Sequence, residues 1–326
     1  MKIGKVPFSV LQENVFHHIQ NKRPEILVGS AIGEDCSIIE FGPDDLCVVS
    51  TDPITGATEN IGYIAVHITC NDLASNGAEP IGLLITLLLP PFTTEEEINA
   101  IMQQIEKGAT EVNAQVIGGH TEITDAVTRP VISVAGIGKS LKKAMITSKP
   151  KPNEDIIMTK WAALEGTAII AKEKEEWLKD KMDTELLRKG QASIQYLSVL
   201  PESRIAVDFG VSAMHDITEG GVLGALWEMA HYAGVGMEIE MDQIPIKEET
   251  RVICGLFNID PLRLISSGSM LITCQDGAEL IQRFRAQGIE ASLIGRTTEE
   301  TDIIGMKNNK RVIIAPPDVD ELYKIM

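Results

Sequence analysis

Apolar residues recur along the chain with two periods. Ile61, Ile64, Ala65 and Ile68 fall at i, i+3, i+4 and i+7, the spacing of one helical face. Gly77 and Pro80 follow, so this helix is expected to stop there, with Asn71 and Asp72 near its last turn. Ile98, Ile101, Met102, Ile105, Ala109 and Val112 form a second stripe behind a Thr94–Glu97 capping pair. Leu178, Met182 and Leu186 give one buried stripe to a charged surface helix over 172–189. Leu223, Leu226, Trp227 and Ala230 mark a further helix, with Thr218 as its expected N-cap.

Between these lie short strand-like runs: Ser37–Ile39, Leu46–Ser50, Gln115–Ile117, Val131–Ile137 and Asp155–Thr159. Ile81–Leu89 is continuously apolar and ends at Pro90-Pro91, which reads as a strand buried on both faces. Leu264–Ile272 reads as strand, small-residue turn and strand around Gly268. The polar, proline-rich stretch Lys149–Asn153 is the expected domain boundary. The expected organisation is an N-terminal segment over 1–30, a first domain over 31–148 and a second over 153–315, in the α/β (α+β) class.

The net charge of −18 argues against non-specific nucleic-acid binding, which depends on Lys and Arg at the phosphates. Five cysteines without a CxxC pair fit neither a disulfide framework nor a zinc site, and suggest free thiols in a reducing cytosol. No apolar run is long enough to span a bilayer as a helix, and the N-terminus lacks a signal-peptide pattern. A cytoplasmic protein without membrane or nucleic-acid partners is expected. Gly138-Lys139-Ser140 is no P-loop, since Ser133 holds the position where glycine is needed.

Acidic residues carry the chemistry. Asp72 lies where the helix dipole disfavours negative charge. Gly33-Glu34-Asp35 and Ser50-Thr51-Asp52-Pro53 are two further acidic turns, each beside a strand-like run. Two carboxylates about 4 Å apart repel by about 4 kcal/mol at an effective dielectric of about 20. If these acids converge, a cation must sit between them, and Mg²⁺ carrying phosphates is the natural choice. The turn Gly118-Gly119-His120-Thr121-Glu122 either approaches a ligand closely or is a plain tight turn. Thr218 to Gly221 either presents helix N-terminal amides to an anion or simply caps a helix. His215 reads as a structural histidine, and Lys2 and Lys5 as a basic terminus.

The motifs GEDCSII, STDP, NDLASNGAEP and GGHTE occur in this order. In this they resemble the N-terminal half of the aminoimidazole ribonucleotide (AIR) synthetase superfamily, the PurM-like proteins. Its members include selenophosphate synthetase, thiamine-monophosphate kinase and HypE, and the resemblance is strongest to HypE-like and AIR synthase-related proteins. It runs from about Gly29 to about Arg296. It implies a two-domain PurM-like fold, with an N-terminal mixed α/β domain whose sheet pairs in a dimer barrel and a C-terminal α/β domain. It further implies a homodimer that binds ATP and Mg²⁺ along its interface. Carried onto this chain, Asp35, Asp52 and Asp72 would hold metal, and Asn71, Gly118, Gly119 and Thr121 would join them around the nucleotide. Asp72, His120 and Glu122 would serve the reaction, and Thr218, Glu219, Gly220 and Gly221 would face the substrate.

Two departures qualify the resemblance. The chain ends without the C-terminal cysteine of HypE, its last cysteine being Cys274. His120 stands where HypE and thiamine-monophosphate kinase carry aspartate. The resulting expectation is a Mg·ATP enzyme that phosphorylates or activates an oxygen of an unidentified small molecule. The alternative is a non-catalytic nucleotide-binding partner in a maturation complex.

Overall fold

A computed structural model describes residues 23–29, 34–55 and 59–325. Lys2, Lys5, Gly33 and most of the N-terminal segment lie outside them. Six strands form the first sheet: β1 (Ile26–Val28), β2 (Ser37–Glu40), β3 (Asp45–Ile54), β4 (Glu79–Leu89), β5 (Gln115–Ile123) and β6 (Val131–Leu141). Their order is β1-β2-β3-β6-β4-β5. The β4–β5 pair is parallel, and the other pairs are antiparallel. Helices α1 (Ile61–Ser75) and α2 (Glu95–Val112) pack together against this sheet. The capping box at Thr94 and Glu97 forms as expected.

The second sheet has seven strands: β7 (Asp155–Thr159), β8 (Ala213–Asp216), β9 (Gly236–Glu240), β10 (Met270–Cys274), β11 (Ala291–Thr298), β12 (Ile303–Lys307) and β13 (Lys310–Ile313). Their order is β13-β12-β9-β11-β7-β10-β8, again mixed, with β12 and β9 parallel. Helices α3 (Leu164–Glu173), α4 (Glu175–Leu178), α5 (Thr184–Ala192), α6 (Leu200–Phe209), α7 (Gly221–Ala233), α8 (Glu248–Phe257) and α9 (Gly277–Ala286) complete this half.

Helix α1 joins the halves. All fifteen of its residues are buried, so its single apolar stripe understates its contacts. One side meets β3, β6, β4 and α2, while the other meets β8 and α6. Two of its hydroxyls bond back to its own backbone: Thr69 Oγ1 donates to Ala65 O at 3.0 Å, and Ser75 Oγ to Asp72 O at 2.9 Å. Gly77 ends the helix at φ +72°, where an added Cβ would lie 2.4 Å from Ala144 O.

Several local expectations change in the folded chain. Asp52 and Pro53 do not form a turn; they continue β3 and pair with Val134 and Ser133 of β6. Gly118 to Glu122 likewise lie inside β5, beside Leu84 to Leu88 of β4, because a parallel partner extends the strand. β4 is buried on one face only, leaving Ile81 and Leu84 exposed alongside Ile117 and Ile123 of β5. The charged 172–189 stretch breaks into pieces, since Asp183 starts α5 afresh by accepting from Glu185 N and Leu186 N. Gly220, at φ +89°, precedes α7, and Thr218 stands outside that helix. Leu264–Ser269 forms no strand, and only β10 follows.

Candidate active site

Three polypeptide segments meet at the end of α1. Ser50 and Asp52 lie two residues apart on β3 and share one face of it. Ser50 Oγ is 2.5 Å from Asp72 Oδ2 and 3.0 Å from Asp35 O, which draws the segment before β2 onto the same point. The Asp52 carboxylate lies near enough for its charge to act on the buried Asp72. From the other sheet, β8 contributes His215 and Asp216. His215 Nδ1 lies 2.8 Å from Asp35 Oδ2, and its Nε2 lies 3.3 Å from Glu228 Oε2 on α7. Asp35, His215 and Asp216 each offer a ligating atom within 4.8 Å of the others.

These groups line a cavity of about 380 Å³, whose walls also include Glu34, Thr51, Ile54, Ile68, Thr218, Glu219, Ile265 and Ser267. No Lys or Arg is among the described lining residues. The electrostatic consequence is large. Burial, then the neighbouring Asp52, Asp216 and Asp35, hold the Asp72 carboxyl well above the usual carboxylate range. Burial works against charge on His215, but the Asp35 and Glu228 carboxylates overcome it and keep the imidazolium well above its ordinary value. Burial also raises Glu34, an effect that the nearby Tyr232 hydroxyl moderates. Cys36 is buried beside the same acids, and burial followed by Asp72 and Asp35 keeps it a protonated thiol.

The donor set suits Mg²⁺. Carboxylate oxygens of Asp35, Asp52, Asp72 and Asp216 are hard ligands, and their mutual repulsion is relieved by a cation. A protonated His215 has no lone pair to offer a metal, so its part is to hold Asp35 in place.

The three acids singled out in the sequence thus converge. Asn71 is placed differently: its Nδ2 donates to Leu197 O at 2.7 Å and its Oδ1 accepts from Val199 N at 2.9 Å, so the amide anchors a loop. Gly118, Gly119, His120, Thr121 and Glu122 lie on β5 at the exposed edge of the first sheet, and β6 and β4 separate them from β3. Gly119 has a packing reason, because a Cβ there would come within 1.9 Å of Ile85 O. Thr218 and Glu219 line the cavity. Gly220 N donates to Asp320 Oδ2 at 2.7 Å and Gly221 N to Thr218 O at 3.1 Å, so the start of α7 is already filled by the chain's own carboxylate.

Asp216 and the ion-pairing role of His215 are not visible in periodicity or local turn chemistry. Their signal was the His-Asp pair ahead of Thr218-Glu219-Gly220-Gly221, a fourth acidic punctuation after an apolar run.

Residues 33–140 match the family model for the N-terminal domain of AIR synthase related proteins, and residues 151–307 match that for the C-terminal domain. The chain is 28% identical over 306 residues to a "Putative hydrogenase expression/formation protein" of Methanocaldococcus jannaschii, covering 91% of this chain and 89% of that protein. It is 25% identical over 281 residues to the carbamoyl dehydratase HypE of Rhodobacter capsulatus, covering 84% and 79%. Among solved structures it resembles a HypE–HypF complex at TM-score 0.76, 21% identity and coverage of 94% and 99%. A HypE in complex with ATP superposes at TM-score 0.71, 17% identity and coverage of 98% and 97%. A ThiL complexed with AMPPCP and TMP superposes at TM-score 0.73, 17% identity and coverage of 90% and 92%. At these identities the structural likeness speaks to the fold.

Proposed function

The chain belongs to the AIR synthase-related protein family, and on that premise we propose that it is a Mg·ATP-dependent enzyme that phosphorylates or activates an oxygen of a small molecule. The observation that carries this reading is the convergence of Asp35, Asp52, Asp72 and Asp216 on one cavity lined without Lys or Arg among the described residues. Such a site requires cations, and a phosphate chain bound through metal then needs no basic residue of its own. Mg²⁺ held by these four carboxylates would neutralise phosphate charge. The protein's own part is positioning: His215 fixes Asp35, Ser50 fixes Asp72, and Thr218 and Glu219 face the acceptor. Phosphoryl transfer needs little more from a protein than placement and charge balance. The ATP in one HypE structure and the AMPPCP in the ThiL structure support the reading.

A homodimer belongs to the same proposal. Ile81 and Leu84 of β4 and Ile117 of β5 are exposed apolar side chains on the open side of the first sheet, the kind of surface that a second sheet covers. On this reading His120, Thr121, Glu122 and the Gly118-Gly119 backbone serve nucleotide or catalysis across that interface. A cytoplasmic location fits too; among the described residues no helix is long and apolar enough to cross a membrane.

The HypE–HypF structure favours a second reading, a partner protein in a maturation complex that binds nucleotide without turnover. Calorimetric titration of ATP with and without Mg²⁺, followed by ADP release against a metabolite panel, tests both. Metal-dependent ATP binding with turnover supports the enzyme. Binding with no turnover and a stable protein partner supports the second reading. Absence of ATP binding overturns both.

A further inference from the structure

We propose that the open edge of β13 is a docking site for an acidic, extended segment of another protein, which joins the second sheet as an added strand. None of the residues involved lines the cavity of the acids, so the site does not depend on the nucleotide reading. The two ends of the second sheet differ. β8 at one end is buried along its whole length, and its Ala213 bridges to Thr147 beyond it. β13 at the other end is exposed at all 4 residues. Ile314 N donates to Ile303 O at 2.9 Å, and the register pairs Gly305 with Val312 and Lys307 with Lys310. Bonded and non-bonded pairs alternate along an antiparallel ladder. Lys310 and Val312 therefore turn their backbone groups to β12, while Arg311 and Ile313 turn theirs to the open side. Each of those two offers an N–H and a C=O there, a ready template for a further strand.

The edge is preformed. Asn308 and Asn309 make the turn between β12 and β13 at φ +50° and +60°, both in the left-handed region that a tight two-residue hairpin requires. Asp242 Oδ2 accepts from Asn308 N at 2.9 Å and pins the tip. An added strand thus orders little of this chain, which lowers the cost of binding.

Side chains decide which strand fits. Ile313 is 78% exposed, more than any other large apolar side chain among the described residues, and Val312 is 44% exposed. Lys307, Lys310 and Arg311 are exposed as well, and among the described residues no carboxylate pairs with any of them. Glu238 and Glu240 stand inward on β9, with β12 between them and this edge. A hairpin of unpaired cations contrasts with the net charge of −18. The cations keep out a second copy, since pairing β13 with itself would bring a further Lys310 and Arg311 to the same short edge. They admit a strand that carries acids. Blocking alone gives no reason for Ile313 to stand exposed beside the free backbone groups. Along an antiparallel partner, the residues opposite Ile313, Val312, Arg311 and Lys310 are two apolar residues followed by two acids. Like charge rejects basic strands, and the row of backbone donors and acceptors selects a protein strand over a polyanion such as nucleic acid.

The test uses the full chain and a fluorescein-labelled peptide, Thr-Val-Ile-Glu-Glu-Thr, read by fluorescence anisotropy at low salt. This peptide should bind at least about tenfold more tightly than the same peptide with Lys-Lys in place of Glu-Glu. Lys310→Glu combined with Arg311→Glu, checked for an intact thermal transition, should reverse that preference, a result that a merely unfolded variant cannot give. Methylating the amide nitrogens of the peptide's Val and first Glu should abolish binding, because the added ladder loses its donors. Equal binding of the two peptides, binding that survives N-methylation, no binding of any peptide, or a single-stranded oligodeoxynucleotide that binds as tightly as the acidic peptide overturns the proposal. So does a sedimentation mass that changes with the two substitutions, which would assign the edge to a second copy.

Discussion

Ser50 Oγ on β3 donates to Asp72 Oδ2 at the end of α1, at 2.5 Å. This bond holds a carboxyl at the helix end where the macrodipole opposes its charge. Asp52 is the neighbouring charge that acts on it most strongly. Burial and the neighbouring acids hold the Asp72 carboxyl well above the usual carboxylate range, so a cation that binds there competes with its proton.

Asp72→Asn removes a charge while keeping the shape. The variant should fold, and without metal it should be at least as stable as the parent, because burial and three neighbouring acids already penalise the Asp72 charge. Its Mg·ATP affinity should fall by about tenfold or more, roughly 1.4 kcal/mol. Unchanged affinity by calorimetry would make Asp72 a purely structural residue.

Asn71→Ala should show the opposite pattern. It deletes both bonds to Leu197 O and Val199 N and strands those groups in a buried loop. The expected loss is about 2–4 kcal/mol of stability in urea denaturation. ATP affinity of the folded protein should hardly change. A stable variant with poor ATP binding would return Asn71 to the nucleotide.

Stability should fall as pH rises through neutrality. Burial lifts Glu165 from 4.5 to about 7 and Asp320 from 3.8 to about 6. A carboxyl whose folded pKa is raised contributes stability that is complete below the unfolded value and disappears as pH rises through the folded one. Denaturation at pH 5 and pH 8 should therefore differ, with the protein weaker at pH 8. Glu165→Gln should recover on the order of 1–3 kcal/mol at pH 8 and little at pH 4. A flat profile for the parent protein would contradict the burial of these two groups.

The exposed face of β4 and β5 predicts self-association. Sedimentation at micromolar concentration should give twice the 35.5 kDa of one chain. Leu84→Asp together with Ile117→Asp should yield a monomer, since both side chains lie on that face. A parent protein that sediments as one chain would refute the dimer.

None of the five cysteines should become a thiocyanate. That chemistry needs a thiolate, the nucleophilic form. Burial pushes Cys70 and Cys254 up to about 12 and Cys274 to about 11, and it raises Cys36 and Cys47 as well. Incubation with a carbamoyl donor, its transferase and ATP, followed by mass spectrometry, should find unmodified thiols. A cyanide-bearing cysteine would restore a HypE-type reaction on the chain itself.

Local order was legible in the chain itself. The Thr94–Glu97 box, the bounds of β7 and the stop at Gly77 follow from side-chain period and backbone chemistry that act over a few residues. Asp35, Asp52 and Asp72 stood out for a similar reason, each an acid beside an apolar run. Tertiary structure decided what those acids meet. The His215–Asp35 pair spans 180 positions, and no local pattern encodes such a contact. It exists because β8 packs on the outer side of α1, which also explains why that helix is buried all round rather than along one stripe. GGHTE looked like a turn because its glycines are permissive, but parallel pairing with β4 drew it into a strand, and hydrogen bonds to a partner strand outweigh weak local preference.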